Sequence, residues 1–119
     1  MSKRILITGA GSGFGLGAAV ALAKRGHRVI ATVLNDQQAQ ALSEQSLPID
    51  IVKLDITKAE DRDQVEGFEV DVFFANAALG QTGPVSLIPI DRLRRVFEVN
   101  VFATVAITQQ IALSMRKRR

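Results

Sequence analysis

Five glycines at alternate positions, Gly9, Gly11, Gly13, Gly15 and Gly17, follow the short apolar run Arg4–Thr8 and lead straight into a helix-forming stretch. Glycine admits positive φ and lets a ligand approach the backbone closely, so the chain can turn tightly here. A helix that starts at such a turn presents unpaired N–H groups and a partial positive charge, the complement of a phosphate. No Gly-Lys-Ser/Thr follows, so this is not the magnesium-holding phosphate loop of nucleotide triphosphatases. Strand, glycine turn and helix in succession are instead the context of a dinucleotide-binding loop.

Three further polar residues sit where they could do chemistry. Asp55 follows the apolar segment Ile49–Leu54, Asn76 follows Val70–Ala75, and Asn100 lies within an otherwise apolar helical pattern. Each also has a purely architectural reading. Asp55 can cap the next helix, Asn76 can satisfy loop backbone, and Asn100 can serve as a satisfied polar group in a core. His27, after Gly26, has no neighbouring acid or second histidine and reads as a solvated turn residue.

The elements that must position these residues alternate regularly. Strands are expected at Arg4–Thr8, Arg28–Val33, Ile49–Leu54 and Val70–Ala75. Helices are expected at Phe14–Arg25, at Asp36–Gln45 with Asn35 as N-cap, at Lys58–Phe68, and as one long helix over Asp91–Arg116. In that last helix Leu93, Val96, Phe97, Val101, Phe102, Val105 and Ile111 recur near helical spacing. Alternating strands and helices argue for an α/β fold, a doubly wound parallel sheet in the order 3-2-1-4. No repeat or linker divides the 119 residues, which read as one domain.

Composition narrows the function classes. Apolar residues make up 47% and charged residues 23%, ordinary for a globular protein. Cysteine is absent, which excludes disulfides and thiolate metal sites and suits a reducing, cytoplasmic setting. The chain opens on a strand-like segment, leaving no room for a signal peptide. Its longest uninterrupted apolar run in a helical region, Ala18–Ala23, falls far short of the roughly 20 residues of a membrane span. The net charge of +3 is concentrated in Arg116-Lys117-Arg118-Arg119; the remainder, 11 basic against 12 acidic residues, is near neutral. A helix end attracts such cations. With no tyrosine or tryptophan, a base-stacking surface is poorly supported, so nucleic acid is not the expected partner.

Thr8-Gly9-Ala10-Gly11-Ser12-Gly13-Phe14-Gly15 resembles the TGxxxGxG signature of the short-chain dehydrogenase/reductase family. Leu54–Thr57 is similar to the family segment whose aspartate bonds the adenine amino group. Asp71–Ala78 is similar to the NNAG region, and Asn100 to the helix asparagine that holds an active-site water and supports the catalytic lysine. The wording of Arg95–Gln109 looks most like the retinol- and hydroxysteroid-type branch and its bacterial relatives. The resemblance implies a cofactor site of Thr8, Gly9, Gly11, Ser12, Gly13, Phe14, Gly15, Val33, Leu34, Asp55, Ile56, Asn76, Ala77 and Ala78. Asn100 is then in a supporting catalytic role.

The chain departs from the family pattern in three ways. The NNAG region reads Ala75-Asn76-Ala77-Ala78. The end of the second strand, Val33-Leu34-Asn35-Asp36, carries neither the family's NAD-type aspartate nor an NADP-type base, so NAD and NADP both stay open, with the late Asp36 tilting toward NAD. The family's serine and its YxxxK pair have no counterpart, and tyrosine is absent. Family members are roughly twice this length, so the chain reads as the N-terminal, cofactor-binding half and as inactive in hydride transfer. The alternative is a non-catalytic nucleotide-binding or assembly module. Val70–Ala75 should then form an exposed edge that, with the long helix, drives self-association.

Overall fold

Alternate residues of the first strand leave for opposite faces, and this sets the layers. Ile5 and Ile7 join Val29, Ala31 and Val33 on one face, whereas Leu6 joins Ile30 and Val52 on the other. The computed structural model describes residues 1–118, in which β1 (Arg4–Ile7), β2 (Arg28–Val33), β3 (Ile49–Lys53) and β4 (Val72–Phe74) form one parallel sheet in the order β3-β2-β1-β4. This is the expected α/β arrangement. Helices α1 (Gly13–Lys24) and α2 (Asp36–Ser43) cover the first face through Ala19, Ala23 and Leu42. On the second face lie a short α3 (Ala59–Arg62) and a tight 3-10 turn over Asp63–Gly67, followed in sequence by α4 (Ile90–Phe97) and α5 (Thr104–Lys117). Ala103, Ile107 and Ile111 seat α5 against Leu6, Val65 and Val70.

Several expected elements differ in detail. β4 is shorter than Val70–Ala75; the Asp71 N–H still donates to the Arg4 carbonyl at 2.8 Å, and side chains supplement the backbone bonds beyond both ends. Asp71 Oδ2 accepts the Arg4 N–H, and Thr8 Oγ1 accepts the Asn76 N–H. The helix expected over Lys58–Phe68 is instead one turn of α-helix that tightens into the 3-10 turn. The long helix is broken in register by a π-type stretch, Glu98–Ala103, between α4 and α5. Such a stretch inserts one residue into the helical ladder. Here the Thr104 hydroxyl donates to the Val99 carbonyl, five residues back, at 2.9 Å. Of the apolar positions read from sequence, Ile111 is buried, while Leu93, Phe97, Val101, Phe102 and Val105 stay exposed.

By length and composition, one helical run among the described residues, Ile90–Lys117, suffices to cross a membrane. The count of uninterrupted apolar residues passed over it, because Glu98, Asn100, Gln109 and Gln110 interrupt the run without making it polar on average. Of its apolar residues Ala103, Ile107 and Ile111 are buried against the sheet, and Val99 and Met115 pack there partly buried. At its end Arg118 donates to the Ser114 carbonyl and hydroxyl and to the Val70 carbonyl, so this part of the basic tail is tied to the body. Arg119 lies outside the described residues. His27 is half-buried and accepts the Lys3 N–H at its Nδ1 (3.1 Å), anchoring the turn before β2.

Candidate functional site

At the C-terminal end of the sheet, β1 has β2 on one side and β4 on the other, the crossover point where ligands bind in open α/β sheets. Thr8, buried at the end of β1, joins the two halves. Its Oγ1 accepts the N–H of Asn76 and of Ala77, both at 3.1 Å. The Asn76 carboxamide donates back to the Thr8 and Gly9 carbonyls at 3.1 and 3.2 Å. Gly9 has φ +66°, and a Cβ there would stand 2.8 Å from Ala77 Cα. A side chain at Gly15 would overlap both the Gly9 carbonyl oxygen and the Asn76 amide. Glycine at 15 therefore lets α1 seat directly on this corner.

Ser12, extended at φ −161°, precedes α1 without a side-chain cap, and no acid lies in the first turn. The positive end of the helix is left for an external anion. At the end of β2, Asn35 Oδ1 accepts the Gln38 N–H at 2.8 Å, the expected cap, and Gln38 Oε1 accepts the Leu34 N–H at 2.9 Å. Asp36 turns outward and pairs with Lys53 Nζ at 3.0 Å, outside the cavity wall. The carboxylate that tilted the sequence toward NAD is therefore engaged elsewhere.

Beyond β3, Asp55 Oδ1 accepts the Thr57 N–H at 2.9 Å and the Thr57 hydroxyl at 2.6 Å. Burial pushes the Asp55 carboxyl up, but these two bonds and the positive charges of Arg95 and Lys58 outweigh it and hold the group below its ordinary value. Its Oδ2 accepts no hydrogen bond among the described residues and remains available to a donor. Asn100, on the π-type stretch, forms a two-point contact with one residue. Its Nδ2 donates to the Leu79 carbonyl and its Oδ1 accepts the Leu79 N–H, both at 2.8 Å.

These elements enclose a cavity of about 400 Å³. Of the residues expected at a cofactor site, Gly9, Gly11, Ser12, Phe14, Val33, Leu34, Asp55, Ile56, Asn76, Ala77 and Ala78 line it, Phe14 with a side chain 92% exposed at the rim. Thr8 and Gly15 lie buried behind the wall, Gly13 opens α1 beside it, and Asn100 holds the wall residue Leu79 from outside. The sequence reading missed Thr32, Gln38, Leu54, Thr57, Leu79, Arg95 and Val99, which complete the lining. Thr57, two residues after Asp55, carried a local signal as the partner of an aspartate turn. Arg95 and Val99 stand one helical turn apart on the approach to Asn100.

A parallel sheet in this order, with a glycine loop and an uncapped helix N-terminus at its crossover point, defines a Rossmann-type dinucleotide fold. Residues 3–119 match the family model for short chain dehydrogenase, and the chain belongs to that family. It is 33% identical to an uncharacterized oxidoreductase of Myxococcus xanthus over 98% of this chain and 50% of that protein. It is 30% identical to retinol dehydrogenase 8 of Bos taurus, over 98% of this chain and 41% of the relative. The crystal structure of a short-chain dehydrogenase from Streptomyces avermitilis superimposes with a TM-score of 0.86 at 31% identity, covering 98% of this chain and 46% of that one. The chain thus spans about half the length of the relatives it matches. Members of this family bind a dinucleotide cofactor.

Proposed function

We propose that residues 1–119 form one dinucleotide-binding unit that holds NAD or NADP in this cavity, the cofactor-binding portion of an alcohol- or carbonyl-active oxidoreductase. The observation that carries this reading is the fit of the corner itself. Gly9 and Gly15 leave no room for side chains at the crossover point, and α1 points an unquenched N-terminus into the space they open. The pyrophosphate would lie against Gly11–Gly13 and the start of α1, with the adenine between Leu54, Ile56 and Val99 and its amino group on Asp55 Oδ2. Asn76–Ala78 would face the nicotinamide ribose, and Asn100 would keep that wall in place through Leu79. The bound nicotinamide supplies hydride chemistry. These residues supply binding and orientation, and none of them is a phenol able to pass a proton to a substrate oxygen. We therefore infer that this chain alone does not turn over. A cytoplasmic setting belongs to the same reading and rests on the cysteine-free composition.

Calorimetric titration of NAD(H) and NADP(H) tests it. Micromolar to millimolar binding that Gly13→Asp abolishes is expected, since Gly13 has φ +56° with open space around it and an aspartate there adds negative charge to the phosphate end. Absence of binding by the unaltered chain to either nucleotide overturns the reading. An assembly role is favoured by a separate observation: among the described residues the outer edge of β4 has no strand partner, and Val72 and Phe74 on it are 43% and 40% exposed. We infer that two copies of this chain associate through that edge and the adjacent apolar helix face.

A further inference from the structure

We propose that Gln38 is the residue that reads the 2′ position of the adenosine ribose and selects the cofactor without a 2′-phosphate. The inference rests on the cavity being a dinucleotide site. The Asn35 cap fixes the backbone of Gln38 at the first turn of α2, and the side chain then folds back over the cavity. Its amide crosses from Leu34, whose N–H it accepts at Oε1, to Gly11, where any added Cβ would overlap it. One carboxamide therefore bridges the end of β2 and the glycine loop, the two elements that flank the adenosine ribose in a fold of this class.

The bridge fixes which atoms face the ligand. With Oε1 committed to Leu34, the amide orientation is set, and Nε2 is left with two N–H donors that make no hydrogen bond among the described residues. A ribose hydroxyl can accept one of them. A 2′-phosphate would meet only this neutral donor. The cation at this edge, Lys53, is held at 3.0 Å by Asp36, whose carboxylate repels a second anion. Arg95 belongs to the other side of the cavity, on α4, near Asp55. A dianionic phosphate placed at Gln38 therefore lacks the charged, two-pronged partner that normally offsets its desolvation.

The test is the dissociation constants of NAD and NADP for the unaltered chain, Gln38→Ala and Gln38→Arg, with thermal melts to verify folding. The unaltered chain should bind NAD more than about tenfold tighter than NADP. Gln38→Ala should weaken NAD by about fivefold while changing NADP less. Gln38→Arg should invert the order by pairing the phosphate. A NAD-to-NADP ratio that stays within about twofold in both folded variants overturns the role of Gln38 while leaving the site standing. Failure of the unaltered chain to bind either nucleotide overturns the site and the role together.

Discussion

Asp55 lines the cavity and bears on stability through the same side chain. Its folded carboxyl titrates below its ordinary value, so the folded state binds the proton less readily than the unfolded chain does. The group thus contributes stability above the unfolded carboxylate range, near about 3.9, and loses it as pH falls through the folded value. Asp55→Asn should therefore melt below the unaltered chain at pH 6, and the two melting temperatures should converge toward pH 3. A gap of unchanged size between pH 6 and pH 3 would place the effect in packing rather than charge. At this scale the sequence was legible where the chemistry is local. The glycine loop, the Asn35 cap and Asp55 announce themselves within a few residues. Asp36 was misleading because its partner, Lys53, arrives from the neighbouring strand, and no local pattern shows which way the carboxylate turns. Gln38 and Arg95 were not singled out for the same reason: each reaches the cavity from a helix whose side-chain directions no local pattern fixes.

Among the elements, the helix carrying Asn100 decides how the wall after β4 stands. Two hydrogen bonds from one carboxamide hold Leu79, and the π-type stretch sets the angle from which they come. Asn100→Ala should cost about 1 kcal/mol in chemical denaturation, little more because the site is open to solvent. It should also speed hydrogen exchange at the Leu79 amide, while unchanged exchange there would show that the contact does not form in solution. Strand positions and their order were readable because parallel strands buried on both faces give continuous apolar runs. The register shift inside the long helix was not. A single inserted residue changes which side chains meet the sheet but leaves the apolar spacing nearly intact.

For the molecule as a whole, the covered and uncovered faces are unequal. Val72 on the β4 edge and Phe97, Val101 and Val105 on the helix are 41–51% exposed, an apolar surface of the kind that marks an interaction site. Light scattering at micromolar concentration should give a mass at least double the 12.9 kDa of one chain, reduced to one chain by Val72→Lys together with Val105→Glu. A monodisperse single chain before substitution would sink the association. The Thr8 hydroxyl, finally, ties residues 68 positions apart. Segments so distant meet late, because the entropy of bringing them together is lost before any contact repays it. The contacts among β1, α1 and β2 are closer in sequence, yet the Thr8 corner is incomplete until the segment after β4 is in place. Completion of the pocket is then expected late in folding, and a ligand held only by the finished corner would stabilise the folded chain by mass action.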